Sequence, residues 1–316
     1  MRHWREFAIT IVTLLVIAVI LTRIVSNEYF FFAAYVVLQF VVLATAWNIL
    51  GGYAGYVNFG SGAFFAVGAY TAVALIKAVD APLVVQLLAA MLATGLLGFL
   101  VGALTLRLRG IFFSIATVAI AVICETVVVN WGFVGGSRGI ALMQPSAAPM
   151  FESYTRLLFL MMAILAILAV ALARYIQTSW IGRGLRAIRD NEEAAECMGV
   201  PTLKLKLFAA TASGALMGAA GAPFPLYMSF IEPTSAFSLN TAVSALAMPV
   251  IGGTASWIGP VIGAVLLGSV QQIVTVTISS ELNVLVVGLL LVVFVVAAPQ
   301  GIVGLARSLA GRTRPK

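Results

Sequence analysis

The sequence predicts an all-α polytopic membrane protein, a bundle of about ten transmembrane helices. Three observations predict it. Hydrophobic residues make up 62% of the 316 residues and charged residues only 9%, against roughly 25% charged in a soluble domain. The apolar residues gather into stretches close to the ~20 residues that a helix needs to cross a bilayer. The few Lys and Arg residues fall between those stretches, mostly on alternate connections. Ten crossings consume about 200 residues, so residues 1–316 read as one transmembrane domain with short loops and no room for a large domain outside the bilayer.

Taken in order, the first apolar run, 7–25, follows Arg2 and Arg5. Its charged start resembles a signal peptide. The run is long for one, Arg23 stands where a small-residue cleavage site belongs, and further spans follow at once, so it reads as a retained span. The next runs are 29–50, 57–77, 83–106, 111–130, 155–173 and 206–229. The eighth, 237–253, is short and holds Asn240 and Pro249, which leaves a re-entrant segment open in place of a full crossing. Runs 257–278 and 282–298 complete ten.

Charge sets the orientation, because Lys and Arg accumulate in cytoplasmic loops. With the N terminus inside and ten alternating spans, 14 of the 18 basic residues fall inside, and only Arg23, Lys77, Arg138 and Arg156 fall outside. Both termini are therefore expected in the cytoplasm. The formal charge of +7 is an orientation signal rather than a nucleic-acid surface.

The longest polar interval, 174–206, holds Arg174, Arg183, Arg186, Arg189, Lys204 and Lys206 with Asp190, Glu192, Glu193 and Glu196. Asp190 followed by Glu193 has capping-box spacing. Gly199 supplies a left-handed end and Pro201 forbids continuation. A two-turn helix over 191–198 is expected, with Ala194, Ala195 and Met198 on one small apolar face. A helix that short is marginal in water, so it packs on its own bundle or on a partner; a plain solvated loop is the alternative.

The string Glu193-Ala194-Ala195-Glu196-Cys197-Met198-Gly199 resembles the EAA motif of ABC importer permeases. The block from Gly182 to Glu192, GRGLRAIRDNE, leads straight into it. Ala46-Trp47-Asn48-Ile49-Leu50-Gly51-Gly52-Tyr53-Ala54-Gly55, the Gly-rich run from Gly60 to Tyr70, Arg107-Leu108-Arg109-Gly110, Gly135-Gly136-Ser137-Arg138-Gly139, Gly259-Pro260 and Pro299-Gln300-Gly301 extend the likeness over nearly the whole chain. Together they resemble the LivH/LivM family of branched-chain amino acid ABC permeases, of the LivM type. Three departures stand beside this. The Ile and Leu-Pro pair that close the general importer motif are absent, as in the LivM branch; Ser61 stands where many relatives have His; and Ala298 precedes Pro299 where a basic residue is common.

The resemblance implies a type II ABC importer-like permease bundle in the bacterial inner membrane. It also implies a second LivH-like permease, two ABC ATPase subunits and a periplasmic binding protein as partners. Arg186, Arg189, Asp190, Glu193, Ala194, Ala195, Met198 and Gly199 would form the ATPase-coupling helix and its approach. The chain holds no G-x-x-x-x-G-K-[ST] string, so ATP and Mg²⁺ are expected on the partners and no cofactor on this chain. With one histidine, His3, and aspartates only at 80 and 190, no metal centre or hydrolytic triad is expected.

Candidates for the translocation pathway are Asn48, Asn58, Ser61, Glu125, Asn240 and Ser244, with Gln39, although hydrogen bonding between helices suits such residues equally. An ionised Glu125 near mid-bilayer costs about 3 kcal/mol. It is expected to face the interior, with Arg138 or Arg156 as partner, either in the pathway or as a packing group. Gly51-Gly52 and Gly252-Gly253 are expected to break helices beside a cavity, and the G-x-x-x-G pairs 98/102, 214/218 and 259/263 to bring helices close. Two other readings remain open. A urea or short-chain amide permease shares the signatures, and a ten-helix secondary transporter shares the spans, although it would need more intramembrane ionisable groups.

Overall fold

The computed structural model describes residues 2–108, 110–143, 153–277, 280–298 and 300–312, with the side chains of 2–6, 8, 280–284 and 307–312 left out. Arg109, Pro299, Arg314 and Lys316, and the end of the ninth expected span at 278, lie outside the described residues.

Most of the described residues are helical. The helices are α1 (Arg2–Ile24), α2 (Glu28–Ala54), α3 (Ser61–Val79), α4 (Leu83–Thr105), α5 (Ile111–Val129), α6 (Tyr154–Thr178), α7 (Trp180–Asp190), α8 (Glu192–Cys197), α9 (Thr202–Gly221), α10 (Phe224–Met228), α11 (Pro233–Ala236), α12 (Leu239–Gly252), α13 (Ile258–Thr277), α14 (Ser280–Ala297) and α15 (Gly301–Arg312). A two-residue ribbon pairs β1 (Ile140–Ala141) with β2 (Phe230–Ile231), antiparallel, Ile140 opposite Ile231. Among the described residues nine helical stretches are long and apolar enough to cross a membrane. α1 is 23 residues long and adds a shorter apolar stretch, Ile9–Ile24, where the first span is expected.

Local chemistry sets the ends. The Asn27 side chain accepts from the Tyr29 N–H at the start of α2, and Ser153 accepts from Thr155 at the start of α6, each satisfying an orphan donor. Two expected spans are resolved further. The seventh is α9 and α10, parted at Ala222-Pro223; the eighth is the short α11 followed by α12, whose 14 residues rise only about 21 Å. Beyond the tenth, α15 carries Arg307 and Arg312 of the basic tail.

α2 is the central element. Every residue from 41 to 50 is buried, and α6, α9, α12 and α13 pack around it. A helix apolar on all sides is stable only when enclosed this way. The peripheral helices reverse the soluble pattern. On α4, Leu88, Leu92, Leu96 and Leu104 point outward while Ala90, Thr94, Gly98, Gly102 and Thr105 face the bundle. In lipid the tails are as apolar as Leu, so small and hydrogen-bonding residues go inside, where backbones can approach.

The three G-x-x-x-G pairs mark such approaches. A Cβ on Gly98 would meet the Ala210 carbonyl, one on Gly214 or Gly218 would meet Thr94, and one on Gly68 the Gly218 backbone, which locks α3, α4 and α9 together. Gly259 and Gly263 sit likewise against Gly253 and Met248.

Candidate functional site

The loops separate into two ends. One end collects Lys77 on the Phe133 carbonyl, the β1–β2 ribbon, and Arg156 bonded to Glu28 at 3.0 Å and to the Thr22 carbonyl at 3.1 Å. The other collects the ends of α2, α4 and α12 with the whole 174–206 interval, the same loops that the charge pattern groups on one side.

That interval holds two helices. α7 was not expected. It buries Gly182, Leu185 and Ile188 at every third position, with Arg183, Arg186 and Arg189 between them. The Arg189 guanidinium donates to the Gly52 carbonyl at 3.1 Å and lies 3.5 Å from Asp190. α8 begins one residue later than the capping-box reading expects. Asn191, in extended backbone, is the N-cap and its side chain accepts from the Ala194 N–H at 3.1 Å, whereas Asp190 closes α7. Asn competes equally with Asp for this position, and α7 claims Asp190 for its own last turn.

The far end of α8 matches expectation. Gly199 is left-handed at φ +82°, its N–H bonds the Glu196 carbonyl and the Val200 N–H bonds the Ala195 carbonyl, the paired bonds of a Schellman end. The expected apolar face is divided. Ala195 is buried in the bundle, while Ala194 is exposed and Met198 is 85% exposed, the Gly199 turn beside it open. Glu193 also points outward.

Beneath α8 lies a polar network that the sequence reading did not single out. Glu192, the first residue of α8, takes the Lys206 ammonium on Oε1 at 2.6 Å and the Tyr56 hydroxyl on Oε2 at 2.6 Å. Lys206 also donates to the Tyr56 hydroxyl at 3.1 Å and to the Leu106 carbonyl at 2.9 Å. The Lys206 side chain is 5% exposed and that of Glu192 13%. The Tyr56 ring stands edge-on to Phe113. Glu196 accepts from the Thr202 hydroxyl at 2.6 Å, a second tie from α8 to α9. The cue that was present is a lysine placed inside the start of an apolar span, where a charge needs a partner.

The expected pathway residues are not brought into one site, and no hydrogen bond joins any two of them. Asn48 is buried and donates to the Thr254 carbonyl at 3.2 Å; Asn58 is buried and its side chain accepts from the Gly60 N–H at 2.7 Å, a local turn. Ser61 is buried, Ser244 accepts from Gln271 at 3.3 Å, and Gln39 donates to the Ala220 carbonyl at 3.3 Å. Asn240 is exposed at the start of α12. Glu125 is half-buried at the edge of the stripe formed by Phe113, Thr117, Ala121 and Val128, and Arg156 pairs with Glu28 instead. Gly51 and Gly52 do not break α2; they lie in its last turns, and the chain leaves at Gly55, φ +79°. Gly253, φ +113°, does end α12, and Gly252 packs on Gly259.

A cavity of about 900 Å³ opens between α1, α2, α6 and α13, lined almost wholly by apolar side chains and by none of the expected pathway residues. At its rim Arg174 lies 3.9 Å from the Phe7 ring centre and 5.3 Å from that of Trp257.

The family described as "Branched-chain amino acid transport system / permease component" matches residues 29–295. The chain belongs to that family. As a permease it is a transport subunit and a multi-pass membrane protein. It is 28% identical to the high-affinity branched-chain amino acid transport system permease protein LivM of Salmonella typhimurium, over 94% of this chain and 75% of the relative. Its identity to LivM of Escherichia coli is 27% over the same shares. A probable LivH of Methanocaldococcus jannaschii is 27% identical over 47% of the permease and 48% of that protein. No solved structure matches the chain.

Proposed function

We propose that this permease is one of two membrane subunits of an ATP-driven importer that carries branched-chain or other hydrophobic amino acids across the bacterial inner membrane. It pairs with a LivH-like permease, two ATPase subunits and a periplasmic binding protein. Both termini and the α7–α8 segment face the cytoplasm, as the basic residues require. ATP and Mg²⁺ are held by the ATPases. The LivM relatives support the substrate class, since they are branched-chain amino acid permeases by name.

One observation carries the coupling role: α8 is anchored by Ala195 yet leaves Ala194, Met198 and the Gly199 turn outward at the end of the bundle. A large flexible apolar side chain held in solvent on a rigid two-turn post fits an interface anchor. When the ATPases close on ATP, they displace this post, and the bundle converts the displacement into alternating access.

The test uses two separate variants, Gly199→Asp and a deletion of residues 193–199. Asp tolerates the left-handed conformation better than most side chains, so the turn survives while a charge enters the contact. Membrane insertion is expected to persist, while ATPase co-purification and leucine uptake are lost. Normal co-purification with the deletion variant contradicts the coupling role.

A further inference from the structure

We infer that Tyr56, Glu192 and Lys206 are positioning residues, forming the joint through which movement of α8 enters the transmembrane bundle; this rests on the coupling role proposed for α8.

Among the described residues the groups of the network match one another. Glu192 has both carboxylate oxygens engaged, the Tyr56 hydroxyl donates to Glu192 and accepts from Lys206, and Lys206 spends its three N–H bonds on Glu192, Tyr56 and Leu106, matching the three donors of an ammonium. Each member comes from the end of a different element. Tyr56 follows α2, Leu106 follows α4, Glu192 opens α8 and Lys206 lies in the first turns of α9. The Leu106 carbonyl lies at the C-terminal end of α4, where carbonyls lack helical partners and a cation is favoured.

Burial of this pair is not what holds the bundle together. Replacing a buried ion pair by apolar side chains of similar volume is often neutral or stabilising, because the charges must first leave water. What a satisfied ionic network adds is direction, since its bonds hold only in one arrangement. Among the described residues α8 buries a single residue, Ala195, and polar side chains tie it to α9, Glu192 to Lys206 and Glu196 to Thr202. A push on α8 therefore reaches α2, α4 and α9 together through Glu192, and α4 and α9 are already locked by Gly98, Gly214 and Gly218.

The experiment uses the full transporter in proteoliposomes with Lys206→Met, Glu192→Gln and Tyr56→Phe, measuring ATPase co-purification, ATP hydrolysis and leucine uptake. A structural role lowers all three together. The joint predicts retained co-purification, hydrolysis within about twofold of the parent, and uptake per ATP lower by about tenfold or more for Lys206→Met, within the 5–150-fold range of couplings between sites. If Lys206→Met does not accumulate, the two shape-preserving variants carry the test in the same direction. A substrate-independent reading comes from maleimide labelling of Cys197 on α8 and of a cysteine introduced as Leu108→Cys, just beyond α4. ATP changes both rates in the parent and only that of Cys197 in the variants. Unchanged uptake per ATP, or an unchanged ATP response at position 108, overturns the joint. Retained ATPases in the deletion of 193–199 instead overturn the coupling role on which it rests.

Discussion

Arg156 shows what a single charge does in this chain. The charge pattern marks it only as one of four basic residues outside, and the sequence offers it as a partner for Glu125. In the structure it lies buried against the Phe31 ring and holds Glu28 and the Thr22 carbonyl, so it pins the start of α6 to the α1–α2 junction. Hydrogen bonds to charged groups contribute about 1.5–3 kcal/mol; Glu28 is half-exposed, which places Arg156→Met near the lower figure. The melting temperature of the detergent-purified protein should fall, and an unchanged value contradicts the pinning role. Glu28 was not legible as the partner because 128 residues separate the two and a charge at a helix start reads equally well as a dipole partner. The pathway residues were illegible for a related reason. A polar side chain in a span serves a neighbouring helix or a channel with the same atoms, and Asn48, Ser244 and Gln39 are each spent on a neighbouring helix or turn.

At the scale of elements, the expected spans follow from local signals and hold. α8 was legible because its end is written within a few residues, in Gly199 and Pro201. α7 was not, because every third residue is an arginine and the buried positions between are Gly182, Leu185 and Ile188, a stripe too narrow to stand out in a polar interval. The α4–α9 crossing was announced by its glycines. Gly218→Leu should force α4 and α9 apart at an overpacking cost of about 1–3 kcal/mol, read as lower yield and melting temperature. Gly288, on α14 with open space where a Cβ would go, is the control, and Gly288→Leu should change neither. Equal loss in both variants would show that the crossing is not specially close.

For the whole molecule, the few charged residues organise what the apolar majority does not distinguish. Most of the basic residues sort to one end, and there the α7–α8 segment, the ends of α2 and α4 and the start of α9 meet in a buried polar network capped by a solvent-facing methionine. The substrate is not written in that arrangement: the cavity of about 900 Å³ between α1, α2, α6 and α13 is lined almost wholly by apolar side chains among the described residues. The coupling face we propose lies at the basic end. The most direct measurement is photo-crosslinking in cells with a photoreactive residue placed at Met198, and in parallel at Met143, which is 96% exposed at the opposite end. Adducts with an ATPase subunit at position 198 and none at 143 are the predicted result. No ATPase adduct at 198, or adducts at 143 instead, would contradict the account.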